Sequence, residues 1–386
     1  MDFLTPDERA RALYGQIAAH SFGFPVEEHA DWFARAGHEN LRVVVDEDRV
    51  VGGLMVIPQG QWFGGRSVPS LGVAGVAVSP EARGGGVATK LMRETVLQAR
   101  STGFALSSLY PATVQLYRGA GYARAGARNE ISIVPAAART GARGKLTRID
   151  DPEHDEELRT LYARFAARRN GFLDRGAYVW GRVFRPRKAS TEVFKLHGPR
   201  GVEGYLALGH RMGDEAGEVT VRDFVVFDRA AAARGLEVLS AYGSVANEIH
   251  WWGAAPDLLT ASLPERRHSI RVTDYWMLRI CDVERALGLR GYSPALDLAL
   301  ELEVQDDLIA ENGGRFVLRV RGGTANVERG GSGALRLDVR ALAALYSGFH
   351  DARTLVSLGE AEGSESSLDV ADALFAGPAP AMGDFF

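Results

Sequence analysis

The stretch that decides the fold is Val73-Ala-Gly-Val-Ala-Val-Ser-Pro-Glu-Ala-Arg-Gly-Gly-Gly-Val-Ala-Thr-Lys-Leu-Met92. Its first residues are apolar and predict a strand, three consecutive glycines follow, and the last residues predict the start of a helix. Glycine lets the backbone approach a ligand without obstruction by a side chain. The first N–H groups of a helix have no acceptor within the helix, so they offer a site for a phosphate anion. Arg83 adds a positive charge at the same place.

A glycine-rich turn before a helix is a weak signal of function by itself, and a purely structural turn stays open at this point. No Lys-Ser or Lys-Thr pair follows the glycines, which argues against a nucleoside-triphosphate P-loop. A dinucleotide-binding fold requires a different glycine spacing and an acidic residue about 20 positions further on. Neither of these nucleotide-binding motifs therefore explains the stretch.

The composition of the chain is that of a globular protein of two or three domains. It has 386 residues, of which 46% are apolar and 24% charged, and its formal net charge is -4. That charge argues against a general nucleic-acid binder, and the absence of a signal peptide or a long apolar run predicts no membrane attachment. Cys281 is the only cysteine, so a disulfide within the chain and a cysteine-built metal site are excluded. We expect a buried thiol and a cytoplasmic protein without a metal.

Outward from the quoted stretch, hydrophobic patterns divide the chain into three regions, residues 1–145, 146–284 and 285–386. The first predicts a strand–loop–helix–strand unit, and residues 135–144, rich in Ala, Arg and Gly, predict a linker. The second region contains no glycine-rich nucleotide loop. The predicted strands lie at 41–46, 50–57, 71–78, 104–109, 219–227, 269–280, 298–304, 314–321 and 334–338, and the main helices at 87–102, 156–169, 282–289, 339–346 and 368–375. The predicted fold class is therefore α/β.

The quoted residues resemble one enzyme family. Arg83-Gly-Gly-Gly86-Val-Ala88 is similar to the R/Q-x-x-G-x-G/A signature of GNAT acetyltransferases. In that family the loop amides hold the pyrophosphate of CoA, and the preceding strand hydrogen-bonds the pantetheine arm through its backbone. The resemblance implies acetyl-CoA as co-substrate, bound by Val76, Ala77, Val78, Arg83, Gly84, Gly85, Gly86, Val87, Ala88 and Thr89.

A second signal is Tyr110-Pro-Ala-Thr-Val-Gln-Leu-Tyr-Arg-Gly-Ala-Gly-Tyr122. GNAT enzymes often place a tyrosine on the helix after the second motif strand, and Tyr117 fits that place. A phenol has an ordinary pKa of about 10, so it stays protonated and can donate a proton to the departing thiolate. The alternative is that Tyr117 only packs its ring and hydrogen-bonds locally.

The whole chain resembles the Eis (enhanced intracellular survival) group of GNAT enzymes. That group joins an active GNAT domain, a degenerate second GNAT domain and a domain like sterol carrier protein type 2. The resemblance implies domains at 1–145, 146–284 and 285–386, and a homohexamer. Eis proteins often have a basic run where this chain has Gly84 and Gly85, which weakens the charge contacts but spares the backbone ones.

The end of the chain carries the more specific part of this resemblance. Eis proteins finish in an aromatic residue whose terminal carboxylate enters the active site, and this chain finishes in Phe385-Phe386. From Thr354 onward there are six acids and no Lys or Arg, namely Glu360, Glu362, Glu365, Asp369, Asp372 and Asp384. Burial of each phenylalanine ring is worth about 2 kcal/mol, enough to dock the tail. A loose tail or a subunit-contact tail is the alternative.

The expected activity is direct transfer of acetyl from acetyl-CoA to an amine: an aminoglycoside, a polyamine or a lysine-type acceptor. Acidic surroundings attract the amine, the Phe386 carboxylate accepts its proton or orients it, and Tyr117 protonates the sulfur. Phe22 and Trp32 fall where the family lines its amine pocket, although core packing explains either one alone. Two alternatives stay open: an acyltransferase resembling N-myristoyltransferase, and a non-catalytic acyl-CoA or lipid-binding protein.

Overall fold

The computed structural model describes residues 1–186, 189–211 and 218–386. These residues form two compact units. The first unit comprises Met1–Gly126, Tyr275–Ala379 and the last residue, Phe386, and the second comprises Ala127–Asp274 and Pro380–Phe385. The first and third regions of the sequence thus contribute most of one unit, and the second region contributes most of the other.

The secondary structure alternates between strands and helices throughout. Up to residue 133 the elements are β1 (Asp2–Leu4), α1 (Glu8–Phe22), α2 (His29–Ala36), β2 (Leu41–Asp46), β3 (Arg49–Phe63), β4 (Arg66–Val78), α3 (Val87–Ser101), β5 (Leu106–Leu109), α4 (Val114–Gly119) and β6 (Ala123–Ile133). There follow β7 (Leu146–Ile149), α5 (Glu156–Ala166), β8 (Leu173–Asp174), α6 (Ala177–Phe184), β9 (Ala189–Gly198), β10 (Gly201–Arg211), β11 (Glu218–Val226), α7 (Arg229–Ser240), β12 (Glu248–Gly253), α8 (Leu258–Ala261) and β13 (His268–Ile280). The last are α9 (Val283–Leu289), β14 (Asp297–Gln305), β15 (Gly314–Arg321), β16 (Thr324–Arg329), β17 (Leu335–Asp338), α10 (Val339–Ser347), α11 (Ala352–Ser357), β18 (Ala361–Gly363) and α12 (Glu365–Phe375). None of the helices in the described ranges has the length and apolarity needed to cross a membrane.

The first unit is built on a sheet in the order β1, β2, β3, β4, β5 and residues 275–280 of β13. All neighbours are antiparallel except β4 and β5, which run parallel. Helix α3 packs on this sheet through side chains that recur at helical spacing, and Leu91, Met92 and Val96 are buried in the same core cluster. The predicted strand–loop–helix–strand unit is confirmed as β4, the glycine turn, α3 and β5.

The third region adds a five-stranded sheet to the first unit, in the order β16, β15, β14, β17 and β18. Its junction with the first region is apolar and close: the rings of Phe63 and Tyr346 lie 5.0 Å apart, and the Gly291 N–H donates to the Phe63 carbonyl. Cys281 is fully buried at this junction, as predicted, and burial raises the pKa of its thiol to about 12. The thiol is therefore a core group and not a nucleophile.

The second unit has its own sheet, in the order β6, β12, β11, β10, β9 and β7, with α5, α6 and α7 beside it. The prediction that residues 135–144 are a linker is wrong. Pro135, Ala137 and Ala138 are buried, and the N–H groups of Thr140 and Gly141 donate to the Glu237 carboxylate on α7. Residues 135–141 are thus fixed by buried apolar side chains and by hydrogen bonds to the Glu237 carboxylate, although their composition is typical of a loop.

Candidate active site

The site begins where two parallel strands separate. Strand β4 pairs with β5 from Ser70↔Leu106 to Val73↔Leu109, where β5 ends, but β4 continues to Val78 along β3. The register of β4 against β3 shifts between Ala74 and Ala77, and Gly75 in this bulge has a φ of 65°. We call this place the fork. Its β4 wall presents the backbone of Val76, Ala77 and Val78, the three residues expected to bind pantetheine.

The glycine turn lies at the open end of β4 and is exposed. Gly84 and Gly86 have φ values of 80° and 82°, and a Cβ at either would meet nothing within 4 Å. Glycine is required here for the backbone conformation, because L residues rarely adopt it. The surrounding space is open to a ligand.

Helix α3 starts without a side-chain cap. Its N-cap is Gly86, and no side chain of the described residues caps it. The N–H groups of Val87, Ala88 and Thr89 belong to the first turn, where helix geometry supplies no acceptor and the helix dipole is positive. Arg83 is exposed beside them. The residues at this end of α3 therefore fit a pyrophosphate.

The equivalent turn of the second unit is closed to an anion. Between β11 and α7 the N-cap is Asp228, whose carboxylate accepts from the Ala231 N–H at 2.9 Å and pairs with Arg200 at 3.0 Å. A carboxylate thus occupies the helix N-terminus that a phosphate would require. The start of α7 therefore lacks the open N–H groups that the start of α3 presents.

Tyr117 lies on α4, shortly after β5, and is 5% exposed. Its ring packs edge-on against Tyr122 at 6.3 Å. Burial raises the pKa of the Tyr117 phenol, and no described group hydrogen-bonds it. By contrast, the Tyr122 hydroxyl is 2.7 Å from Ser107 Oγ, which itself donates to the Leu71 carbonyl. Tyr122 is therefore held in a structural network, whereas the Tyr117 phenol stays protonated and can donate to a substrate.

Phe386 lies at the fork within the first unit. Its ring is 8% exposed and lies 6.0 Å from the ring of Tyr110, the residue after β5. A Cβ at Gly72 would lie 2.9 Å from Phe386 Cε2. Gly72 comes directly before Val73, the last β4 residue paired with β5. The chain's terminal carboxylate is thus borne by a residue whose ring packs on β4 where the strands separate.

The sequence predicts that both terminal phenylalanine rings are buried, but the structure buries only Phe386. Phe385 is 46% exposed, and its ring lies below the guanidinium of Arg128. Within the second unit the preceding residues are fixed by their backbone: the Ala381 N–H donates to the Asn170 carbonyl, and the Met382 N–H to the Ala127 carbonyl. Docking of the tail therefore depends on backbone bonds and on one buried ring.

The acids of the C-terminal segment are mostly paired with arginines. Arg353 pairs with Glu365, Asp369 and Asp372. Arg118 pairs with Glu360, and Arg175 pairs with Asp384. Only one of the six acids, Glu362, lacks such a pair among the described residues. The segment itself thus does not supply the acidic surroundings that the sequence predicts for an amine.

Phe22 and Trp32 belong to an aromatic cluster beside the bulge. Their rings meet edge-on at 6.2 Å, and a Cβ at Gly75 would lie 3.0 Å from Trp32 Cη2. The Tyr14 hydroxyl donates to the Gly75 carbonyl at 2.7 Å. Phe22 is 50% exposed, so it is not the core residue that its type suggests. The cluster forms an apolar wall next to the fork.

Sequence reasoning missed Gln59 on β3. Its side chain is buried next to Gly72, and neither its amide nitrogen nor its amide oxygen has a hydrogen-bond partner among the described residues. A buried amide without partners costs about 1–3 kcal/mol, which indicates a role beyond packing. The available signal was a glutamine two residues after the apolar run Leu54–Ile57, in the same strand.

Comparisons with known proteins agree with this arrangement. Models of acetyltransferase (GNAT) domains match residues 5–125 and 171–280, and a sterol carrier protein domain matches residues 283–383. A GCN5-related N-acetyltransferase from Anabaena variabilis has 32% identity and a TM-score of 0.95, with 100% of both chains covered. A GCN5-related N-acetyltransferase from Kribbella flavida has 26% identity and a TM-score of 0.89, covering 100% of this chain and 98% of that one.

Two further relatives extend over nearly the whole chain. An uncharacterized N-acetyltransferase from Streptomyces griseus is 29% identical, over 96% of this chain and 95% of that protein. Eis1 from Mycobacterium abscessus shares the fold, with 23% identity, a TM-score of 0.76 and complete coverage of both chains. The predicted tandem of two GNAT folds followed by a sterol-carrier-like domain is confirmed.

Proposed function

Because this chain belongs to the GCN5-related N-acetyltransferases and is an acyltransferase, we propose that it transfers acetyl from acetyl-CoA to an amine at the fork. The observation that carries the proposal is the separation of β4 from β5 at Val73, with the uncapped start of α3 on one side and Phe386 on the other. In the proposal, the start of α3 offers an anion site, β4 offers its backbone, and Phe386 offers the terminal carboxylate, all beside the same strand.

Acetyl-CoA supplies the acetyl group as a thioester. In the proposal the amides of residues 84–89 and the Arg83 guanidinium hold its pyrophosphate, and the backbone of residues 76–78 holds the pantetheine arm. A backbone N–H beside the bulge donates to the thioester carbonyl, where negative charge develops as the amine attacks. Apart from the Arg83 guanidinium, these contacts come from the main chain, so they tolerate glycines at positions 84 and 85.

The proton transfers fall to two groups. The Phe386 carboxylate binds and orients the ammonium and accepts its proton, directly or through water. Orientation is its larger contribution, since a chain-terminal carboxyl has an ordinary pKa of about 3.5 and is a weak base. The Tyr117 phenol then donates its proton to the sulfur as the C–S bond breaks, and its raised pKa keeps that proton in place beforehand. Phe22 and Trp32 contribute an aromatic wall that favours a cation.

The acceptor, assembly and compartment rest on the resemblance to the Eis group. We propose a small amine of the aminoglycoside, polyamine or lysine type, a homohexamer and the cytoplasm. Light scattering after size-exclusion chromatography tests the assembly, where a monomer would contradict it. A panel of acyl-CoA chain lengths separates acetyl transfer from an activity like that of N-myristoyltransferase.

The experiment that tests the proposal measures thiol release from acetyl-CoA with a panel of amines. We expect Tyr117→Phe to lower kcat about 100-fold, the usual contribution of a general acid, whereas the control Tyr122→Phe changes stability more than kcat. Deletion of Phe386 shifts the terminal carboxylate and should abolish turnover, whereas Phe386→Leu keeps the carboxylate and should retain part of it. Binding of acetyl-CoA without turnover of any amine would favour the non-catalytic carrier instead.

A further inference from the structure

A cavity of about 340 Å³ lies within the second unit, away from any residue assigned above to acetyl-CoA. Its described walls come from α6, β6, β10, β11, β12 and the tail residues 383–385. Small-molecule sites in proteins occupy about 300–1,000 Å³, so the volume suits a small metabolite. We call it the arginine cavity.

The charge of the described lining is positive. Arg128, Arg182 and Arg222 contribute three positive charges and Asp384 one negative charge, which leaves a net formal charge of +2. The whole chain carries -4, so this lining is opposite in sign to the protein. The Asp384 carboxylate is also engaged by Arg175 at 2.9 Å. Arg128 Nη1 also lies 3.9 Å from the Asp274 carboxylate outside the lining, at a position 42% exposed. The excess of positive side chains in the lining favours an anion.

The arginines come from different elements and two of them are held by their neighbours. The Arg128 guanidinium lies 4.7 Å above the Trp252 ring and 5.2 Å above the Phe385 ring, and its Nε donates to the Gly383 carbonyl. Arg222 packs over Gly209, where a Cβ would lie 2.3 Å from its Nε. A guanidinium fixed in one plane loses less conformational entropy when its N–H groups bind an anion.

We propose that the arginine cavity binds a small anion that carries carboxylate or phosphate groups. The planar guanidinium group can form paired hydrogen bonds with a carboxylate or with a phosphate. Such an anion acts as a separate effector. Because residues 383–385 form part of the wall, binding stabilises the docked tail, whose next residue is Phe386. The binding itself does not rest on the proposed function.

The test is calorimetric titration of the full chain with succinate and with inorganic phosphate at low ionic strength, with the neutral succinamide as a shape control. We expect one or both anions to bind, succinamide not to bind, and the affinity to fall as salt is added. Arg182→Gln, at an exposed position on α6, and Arg222→Gln should each weaken binding about tenfold. Arg229→Gln removes an exposed arginine of α7 outside the cavity and should leave the Kd unchanged.

Two further measurements complete the test. Hydrogen exchange of the C-terminal peptide should slow when the anion binds, since the tail is part of the wall. In acetyl transfer, succinate should alter the rate with a plain amine, and it should do so less in Arg182→Gln. Failure of both anions to bind, or equal affinity in wild type, Arg182→Gln and Arg222→Gln, would overturn the proposal irrespective of turnover.

Discussion

The tail is held by a buried ion pair whose loss has a definable consequence. Arg175 Nε lies 3.1 and 3.0 Å from the two carboxylate oxygens of Asp384, and the side chains are 4% and 7% exposed. Breaking a buried pair by removal of one charge costs about 3–5 kcal/mol. In Asp384→Asn the amide keeps the shape and one acceptor, and Asp223 still compensates Arg175 at 2.5 Å. We therefore expect Asp384→Asn to destabilise the docked tail by about 3 kcal/mol, the low end of that range.

This free energy is comparable with the sum of the remaining backbone anchors of the tail. The Pro380 carbonyl accepts from the Ala127 N–H, and the Ala381 and Met382 N–H groups donate to Asn170 and Ala127. Each bond is worth about 1 kcal/mol, so the substitution should loosen the tail before it unfolds the unit. Hydrogen exchange followed by mass spectrometry should show fast exchange confined to the C-terminal peptide, and kcat should fall with it. Asp369→Asn is the matched control, because that carboxylate is 70% exposed beside Arg353 and surface pairs contribute about 0–1 kcal/mol. Unchanged exchange and full activity in Asp384→Asn would refute this account of tail docking.

Four further outcomes are expected. Gln59→Leu should raise the free energy of unfolding by about 1–3 kcal/mol in urea titrations, because it removes two unpartnered buried polar atoms, and should lower kcat/KM; higher stability with full activity would limit Gln59 to packing. Gly86→Ala forces a Cβ into a φ of 82° and should raise KM for acetyl-CoA, whereas Gly322→Ala, at a φ of 58° in a distant turn, should lower stability to a similar degree without changing that KM. The alkaline limb of the kcat profile should lie above about pH 10, because the raised pKa of Tyr117 keeps the acid protonated up to that point; a limb near pH 8 would assign the acid to another group. Cys281 should react with a thiol reagent only after unfolding, since its pKa is raised to about 12, and rapid labelling of active enzyme would contradict its burial.

The local parts of the site could be predicted from the sequence because short-range rules decide them. Three consecutive glycines after an apolar strand predict a turn, and the apolar spacing of Leu91, Met92 and Val96 predicts a helix packed on one face. The hairpin of β2 and β3 follows from two β-branched runs around an acidic turn. Helix α3 is present close to its predicted limits, whereas β3 extends to Phe63 and β4 begins at Arg66, beyond the predicted ranges 50–57 and 71–78.

The parts that the sequence does not reveal depend on contacts between distant residues. Nothing near Gly72 indicates that it receives a ring from Phe386, which is separated from it by most of the chain. Likewise, the composition of residues 135–144 is that of a linker, and only the position of Glu237 on α7 turns it into an anchored segment. The six C-terminal acids count as an acidic tail in the sequence, but Arg353, Arg175 and Arg118 compensate five of them in space.

The two GNAT folds of the chain differ in the chemistry of one helix N-terminus. In the first, the N-cap is a glycine in the left-handed region, so the N–H groups of α3 face open space. In the second, Asp228 caps α7 with its own carboxylate, which satisfies the same kind of N–H group and adds a negative charge. An aspartate cap stabilises a helix by about 1 kcal/mol, and it repels a phosphate at the same point. The first fold keeps the open cap and forgoes that stabilisation, which leaves its N–H groups available to the pyrophosphate that we propose. The second fold closes the cap and holds residues 380–385 of the C-terminal tail.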